Sequence, residues 1–149
     1  MEQRPQERME GLDRFVAAQE KSWETALGEL RAGQKTSHWM WWIFPQLAAL
    51  GRSPTAKAFG LTGLEEAREY LAHPLLGPRL VEAARAMLAH AGRPPEAILG
   101  AVDAMKLRSS ATLFAALPDA PPEFRALLEA FWDGQGDPLT RDLIRQASS

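Results

Sequence analysis

The chain of 149 residues contains no cysteine, which removes disulfides, thiolate zinc sites, iron–sulfur clusters and a cysteine nucleophile together. β-Branched aliphatics are scarce. Val and Ile supply 6 residues against 25 Ala and 20 Leu, a balance that favours helix interiors and excludes an all-β protein. Long apolar runs are missing, and the first 30 residues mix charged and apolar positions. Neither a signal peptide nor a membrane span is expected, so the protein is expected to be cytoplasmic. A formal net charge of -2 lacks the basicity of nucleic-acid binders and argues against nucleic acid as a partner. Gly-x-Gly-x-x-Gly, phosphate-loop, His-Glu-x-x-His and Gly-x-Ser-x-Gly signatures are absent, and with three His and scattered acids no metal site and no cofactor is expected.

What is present is ordinary for one soluble domain, with 46% hydrophobic and 24% charged residues. Residues 1–10 are polar, carry no packing pattern and are expected to form a frayed tail, leaving a single domain over 11–149. Leu12, Phe15, Val16, Trp23, Ala26, Leu27 and Leu30 fall at the 3.6-residue helical period, with Gln19 the polar exception and Gly33 the expected C-cap. Residues 37–44 are apolar on nearly every side, and Pro45 stops them. Ser53 and Pro54 have the form of an N-cap and first turn, for a helix reaching about Phe59. Thr62 and Glu65 have capping-box spacing, for a helix through Leu71 that His73 and Pro74 interrupt. A longer helix is expected from Leu76 to Ala91, closed by Gly92. Pro94 and Pro95 then open a turn ending at Gly100. Helices are expected over 102–117, from about Phe124 to Trp132, and after Asp137 and Pro138. The expectation is an all-α single domain of seven to eight helices, joined by short Gly- and Pro-rich connections.

The charge distribution is less ordinary than the total. Between Glu29 and Glu65 no acidic residue occurs, while Arg31, Lys35, Arg52 and Lys57 stand there with His38, Trp39, Trp41, Trp42 and Phe44. Cations for phosphate, rings for a base and the helix start at Ser53 are the parts of a nucleotide site. The structural alternative is a Trp core with cations snorkelling from its edge. A second acid-free interval, residues 104–118, holds Lys106, Arg108, Ser109, Ser110 and Thr112. Asp103, Lys106 and Ser110 share one helical face. These groups could line an anion pocket, or the hydroxyls could bond to carbonyls one turn back while Asp103 pairs with Lys106. His38, with a pKa near neutrality, and the carboxylates Glu20 and Asp103 are the weak candidates for acid–base work.

The run Ser37-His38-Trp39-Met40-Trp41-Trp42-Ile43-Phe44-Pro45-Gln46 resembles the signature of the bacterial domain-of-unknown-function family 1810. The similarity extends to LDRFVAAQ from Leu12, LGRS from Leu50, EAREYLAHP from Glu66, LGPRL from Leu76 and DAMKLRSSATLF from Asp103. It spans roughly residues 12–143, with Trp42 where the family usually has Phe and Ala111 where it often has Met. The resemblance implies an all-helical fold and carries no established activity. The "calpastatin" label borne by some members fits nothing here, since calpain-inhibitory repeats are disordered. The order of aromatic motif, Gly-Arg step and His-Pro-Leu segment is also similar to NADAR domains. That similarity implies an ADP-ribosyl ligand and hydrolysis of an N-glycosidic bond.

The leading functional expectation is a pocket for a small anionic, nucleotide-like molecule. Its expected lining is Ser37, His38, Trp39, Trp42, Gln46, Arg52, Ser53, Lys106, Arg108, Ser109, Ser110 and Thr112. It requires the two acid-free intervals to meet in space. The enzyme version adds hydrolysis by Glu20 or Asp103. An interaction module with exposed aromatics as hot spots is the third reading.

Overall fold

Apolar residues at helical spacing build α1 (Asp13–Ala32). Gly33 closes it in the left-handed region at φ 74°, donating its N–H to Leu30 O at 3.1 Å while Gln34 N–H reaches Glu29 O at 3.1 Å. The computed structural model describes residues 11–148, so the tail expected over residues 1–10 lies outside them. Beyond α1 follow α2 (Met40–Ile43), a 3-10 turn (Ala48–Leu50), α3 (Pro54–Ala58), α4 (Leu64–Ala72) and α5 (Leu76–Leu88). Then come α6 (Pro95–Leu99), α7 (Ala101–Ala115), α8 (Pro122–Trp132) and α9 (Pro138–Ser148). The all-α expectation holds. Among the described residues the only β-type pairing is one isolated bridge, Leu47 to Leu61.

Where helix ends differ from the sequence reading, the cause is local. The Pro94-Pro95 segment is a helical turn, α6, because Pro95 supplies a pre-set first position with no N–H to satisfy; this makes nine α-helices among the described residues. α5 ends at Leu88, and the turn through Gly92 follows it. The carboxylate near the start of α4 that reaches back is Glu66, accepting from Thr62 N–H at 3.0 Å, with Gly63 as the N-cap. Ser53 caps α3 as expected, its Oγ accepting from Ala56 N–H at 3.1 Å.

The helices pack around α7. α1 lies on α2 and α5; α5 lies on α4 and α8; α7 touches α4, α6, α8 and α9. Surrounded on so many sides, α7 buries Leu107, Ser109, Ser110, Ala111, Thr112, Leu113 and Phe114, and so lacks the single apolar stripe of a surface helix. An aromatic chain threads the core through Trp42, Phe59, Phe15, Tyr70, Phe114 and Phe124, with ring centroids 5.1 to 5.9 Å apart. The 47–61 bridge requires Gly60, where a Cβ would fall 2.2 Å from Ala48 Cα. Arg14 ties this segment to α1, donating to Ala58 O at 2.7 Å and Gly60 O at 2.8 Å beside Glu66 at 3.4 Å.

Candidate functional site

The turn after α1 is organised by one carboxylate. Glu29, in the last turn of α1, accepts five hydrogen bonds: from Thr36 N–H (2.8 Å) and Oγ1 (3.0 Å), Ser37 N–H (3.0 Å) and Oγ (2.6 Å), and Trp39 Nε1 (2.9 Å). Burial alone would raise its pKa, but the bonds from Ser37, Thr36 and Trp39 outweigh it and hold the carboxyl at about 2. Trp39 is thereby fixed as a fully buried core residue, and Ser37 is engaged with Glu29.

The same turn brings the two acid-free intervals together. Lys35 N–H donates to Ile98 O at 2.8 Å, anchoring the turn to the end of α6. The Lys35 ammonium meets Asp103 at 2.8 Å, donates to Ser37 O and lies 4.9 Å from the Trp39 ring centroid. On the other side of Asp103, Lys106 approaches at 3.3 Å and sits 4.4 Å from the Trp41 ring centroid. Side-chain exposure is 8% for Lys35, 19% for Asp103 and 20% for Lys106. One recessed carboxylate thus serves two ammonium groups, and the ionised Glu29 in the same turn balances the second of them. His38 is exposed beside it in the chain, and Trp41 is half-buried.

Along α7 the hydroxyls divide. Ser109 Oγ donates to Met105 O at 3.1 Å and Thr112 Oγ1 to Arg108 O at 2.7 Å, the back-bonding pattern of hydroxyls inside a helix contact. Thr112 Oγ1 also accepts from Asp137 N–H at 2.8 Å. Ser110 Oγ is buried and has no hydrogen-bond partner among the described residues. Arg108 points away from the junction, donating to Gln135 O at 3.0 Å and Gly136 O at 3.2 Å.

A second polar group backs the aromatic turn. Gln19, the polar exception in α1, is buried, donates to Trp42 O at 2.7 Å and to Tyr70 Oη at 3.0 Å, and accepts from Arg79 at 3.3 Å. Tyr70 Oη itself donates to Trp42 O at 3.2 Å. Burial, only partly offset by the Gln19 hydrogen bond and the Arg79 charge, pushes the Tyr70 hydroxyl well above its usual range. Trp42 Nε1 donates to Ser22 Oγ at 2.7 Å.

Of the residues expected to line the pocket, Ser37, Trp39 and Lys106 meet around Glu29, Lys35 and Asp103, with Ser110 one turn beyond Lys106. Trp42 belongs to the Gln19 group. Gln46 O accepts from Leu61 N–H at 2.9 Å in the bridge. Ser53 caps α3, and Arg52 beside it is exposed, with no side-chain hydrogen bond or ion pair among the described residues. Glu20 is exposed on α1 and likewise makes neither. None of the five Trp is highly exposed. Glu29 and Lys35 were not in the expected set, although both flank the aromatic motif. Among the described residues no group of His, Asp and Glu could hold a metal ion, and no helix is long and apolar enough to cross a membrane.

No curated protein matches the chain significantly. A crystal structure of the conserved hypothetical protein Rv1873 from Mycobacterium tuberculosis is similar, with 48% sequence identity, a TM-score of 0.88 and coverage of 90% of this chain and 96% of that one. The profile of the family described as "protein of unknown function (DUF1810)" matches residues 9–144. With nearly the whole chain covered, the protein belongs to the DUF1810 family.

Proposed function

We propose that the domain binds a small anionic, nucleotide-like ligand where the turn carrying residues 35–41 meets the first half of α7. The observation that carries this reading is the shared carboxylate, with Lys35 and Lys106 both on Asp103 and Lys106 also over Trp41. An incoming phosphate competes with Asp103 for the Lys106 ammonium. Drawing Lys106 off Trp41 frees the ring face for stacking. The buried hydroxyl of Ser110, on the same helical face as Asp103 and Lys106 and without a hydrogen-bond partner among the described residues, supports the reading. Asp103 serves here as a counter-ion, and the site is read as a binding site, not a catalytic one.

The test is thermal stability against phosphate, AMP, ADP-ribose, NAD and guanosine nucleotides. A ligand present at a hundredfold excess over its Kd adds about 2.7 kcal/mol, a shift of about 5–10 °C for a domain of this size. The expected result is such a shift for one nucleotide, lost in Lys106→Met and accompanied by a change in Trp fluorescence. A flat panel, or a shift that persists in Lys106→Met, refutes the proposal.

A further inference from the structure

The far end of α7 borders a separate cleft of about 460 Å³, walled by three helices. α7 and its C-cap contribute Thr112, Ala115 and Ala116; α8 contributes Arg125 and Leu128; α9 contributes Arg141, Ile144 and Arg145. Each set follows i, i+3 or i+4 spacing, so each helix turns one face to the cleft. Three guanidinium groups therefore border one concavity in a chain whose net charge is -2.

Four arginines elsewhere are ion-paired, Arg14 with Glu66, Arg31 with Glu82, Arg68 with Glu65 and Arg85 with Glu123, while Arg52, Arg79, Arg93 and Arg108 have no carboxylate partner among the described residues. In the cleft, Arg125 and Arg141 have no carboxylate partner within ion-pair distance among the described residues, where Arg145 has only the exposed Asp142 at 3.7 Å. Arg141 is also held in place. Its guanidinium lies against Gly136, where a Cβ would come within 2.8 Å of Nε and 2.9 Å of Nη2. The carbonyl of the same glycine accepts from Arg108 at 3.2 Å, which brings a fourth guanidinium to this glycine. With Asp142 the one carboxylate paired to them among the described residues, these like charges repel one another, and a bound anion relieves the repulsion.

We infer that this cleft binds a multiply charged oxyanion borne on a small organic body, in the manner of a phosphate ester. Guanidinium forks match phosphate oxygens in pairs. Leu128, Ile144 and the two alanines give the body an apolar wall, and the volume lies in the range of small-molecule sites. The site is distinct from the Lys106 junction. Its wall is the final turn of α7, about 9 Å or more along the helix.

The test is an amide NMR titration of the whole chain with pyrophosphate, at constant ionic strength maintained with sodium chloride. Saturating shifts are expected at residues 112–116 and 134–141, with half-saturation below about 1 mM. Arg125→Gln and Arg141→Gln should each weaken binding about tenfold, while Lys106→Met leaves it within about twofold. Both arginines are exposed, and the dispersed spectrum of each variant verifies its fold directly. Shifts confined to residues 35–41 and 103–107, shifts that do not saturate, or an affinity indifferent to both arginine substitutions would overturn the inference. Loss of binding in Lys106→Met alone would also count against this cleft, placing the anion at the junction.

Discussion

Replacing Glu29 by Gln removes the charge at the centre of the turn while nearly preserving its shape. The carboxyl is held at about 2 against an ordinary 4.5. A full difference of that size corresponds to at most about 3 kcal/mol. Solvent screening at a partly exposed carboxylate reduces this to about 1–2 kcal/mol. For a domain of this length such a loss lowers Tm by about 2–8 °C.

The pH dependence separates this effect from a simple packing defect. Because the folded-state pKa is depressed, the stabilisation is present above the unfolded value near 4.5 and is lost as pH falls towards about 2. Urea unfolding of the wild type and Glu29→Gln from pH 2 to 7 should therefore give a gap of about 1–2 kcal/mol at neutral pH that closes through this window. A gap independent of pH refutes the charge argument. No gap at pH 7 refutes the role of Glu29 altogether. Trp39 fluorescence gives a second readout, since its Nε1 donates to the same carboxylate.

Three further outcomes follow from the core. Tyr70 is the one tyrosine in the chain, so phenolate absorbance reports on it alone; it should stay silent well above pH 10 in the folded protein. Its raised pKa contributes stability that is present below the unfolded value near 10 and lost as pH rises beyond it, and a titration near pH 10 without unfolding would contradict its burial. Gln19→Leu leaves the Trp42 carbonyl and Arg79 short of a partner and should cost about 1–3 kcal/mol in urea unfolding, more than Tyr70→Phe. Equal effects would show that Gln19 is not the hub. Gly60→Ala drives a Cβ towards the Ala48 backbone and should cost about 1–3 kcal/mol; a neutral result by thermal unfolding would mean the 47–61 bridge is not held tightly.

Much of this fold is legible from spacing because its helices are punctuated by residues with strong local preferences. Gly33, Ser53-Pro54 and Asp133-Gly134 end or start helices where local chemistry requires, and Asp133 occupies the left-handed region at φ 53°. Errors arose where a neighbouring residue could do the same work. Glu66 reaches back to Thr62 although Glu65 has the formal spacing, because Gly63 moves the helix start by one residue. Gln19 is a polar residue on an apolar face, and nothing local announces its partners, which lie 23, 51 and 60 residues away.

The candidate site is less legible for the same reason. Acid-free intervals mark where cations lack local counter-charges, yet they do not say which distant acid supplies one. Asp103 stands just outside the second interval and gathers Lys35 from the first. Glu29 stands at the boundary of the first and gathers its hydroxyls and indole. Each interval is therefore tethered by an acid at its edge. α7 spends two of its hydroxyls on its own carbonyls because it is enclosed on many sides, which leaves Ser110 as the one without a partner. That same enclosure places Lys106 at one end of α7 and the arginine-rich cleft at the other. A probe that reports residue by residue is needed to distinguish binding at the two ends, because any bulk measurement of anion affinity sums them.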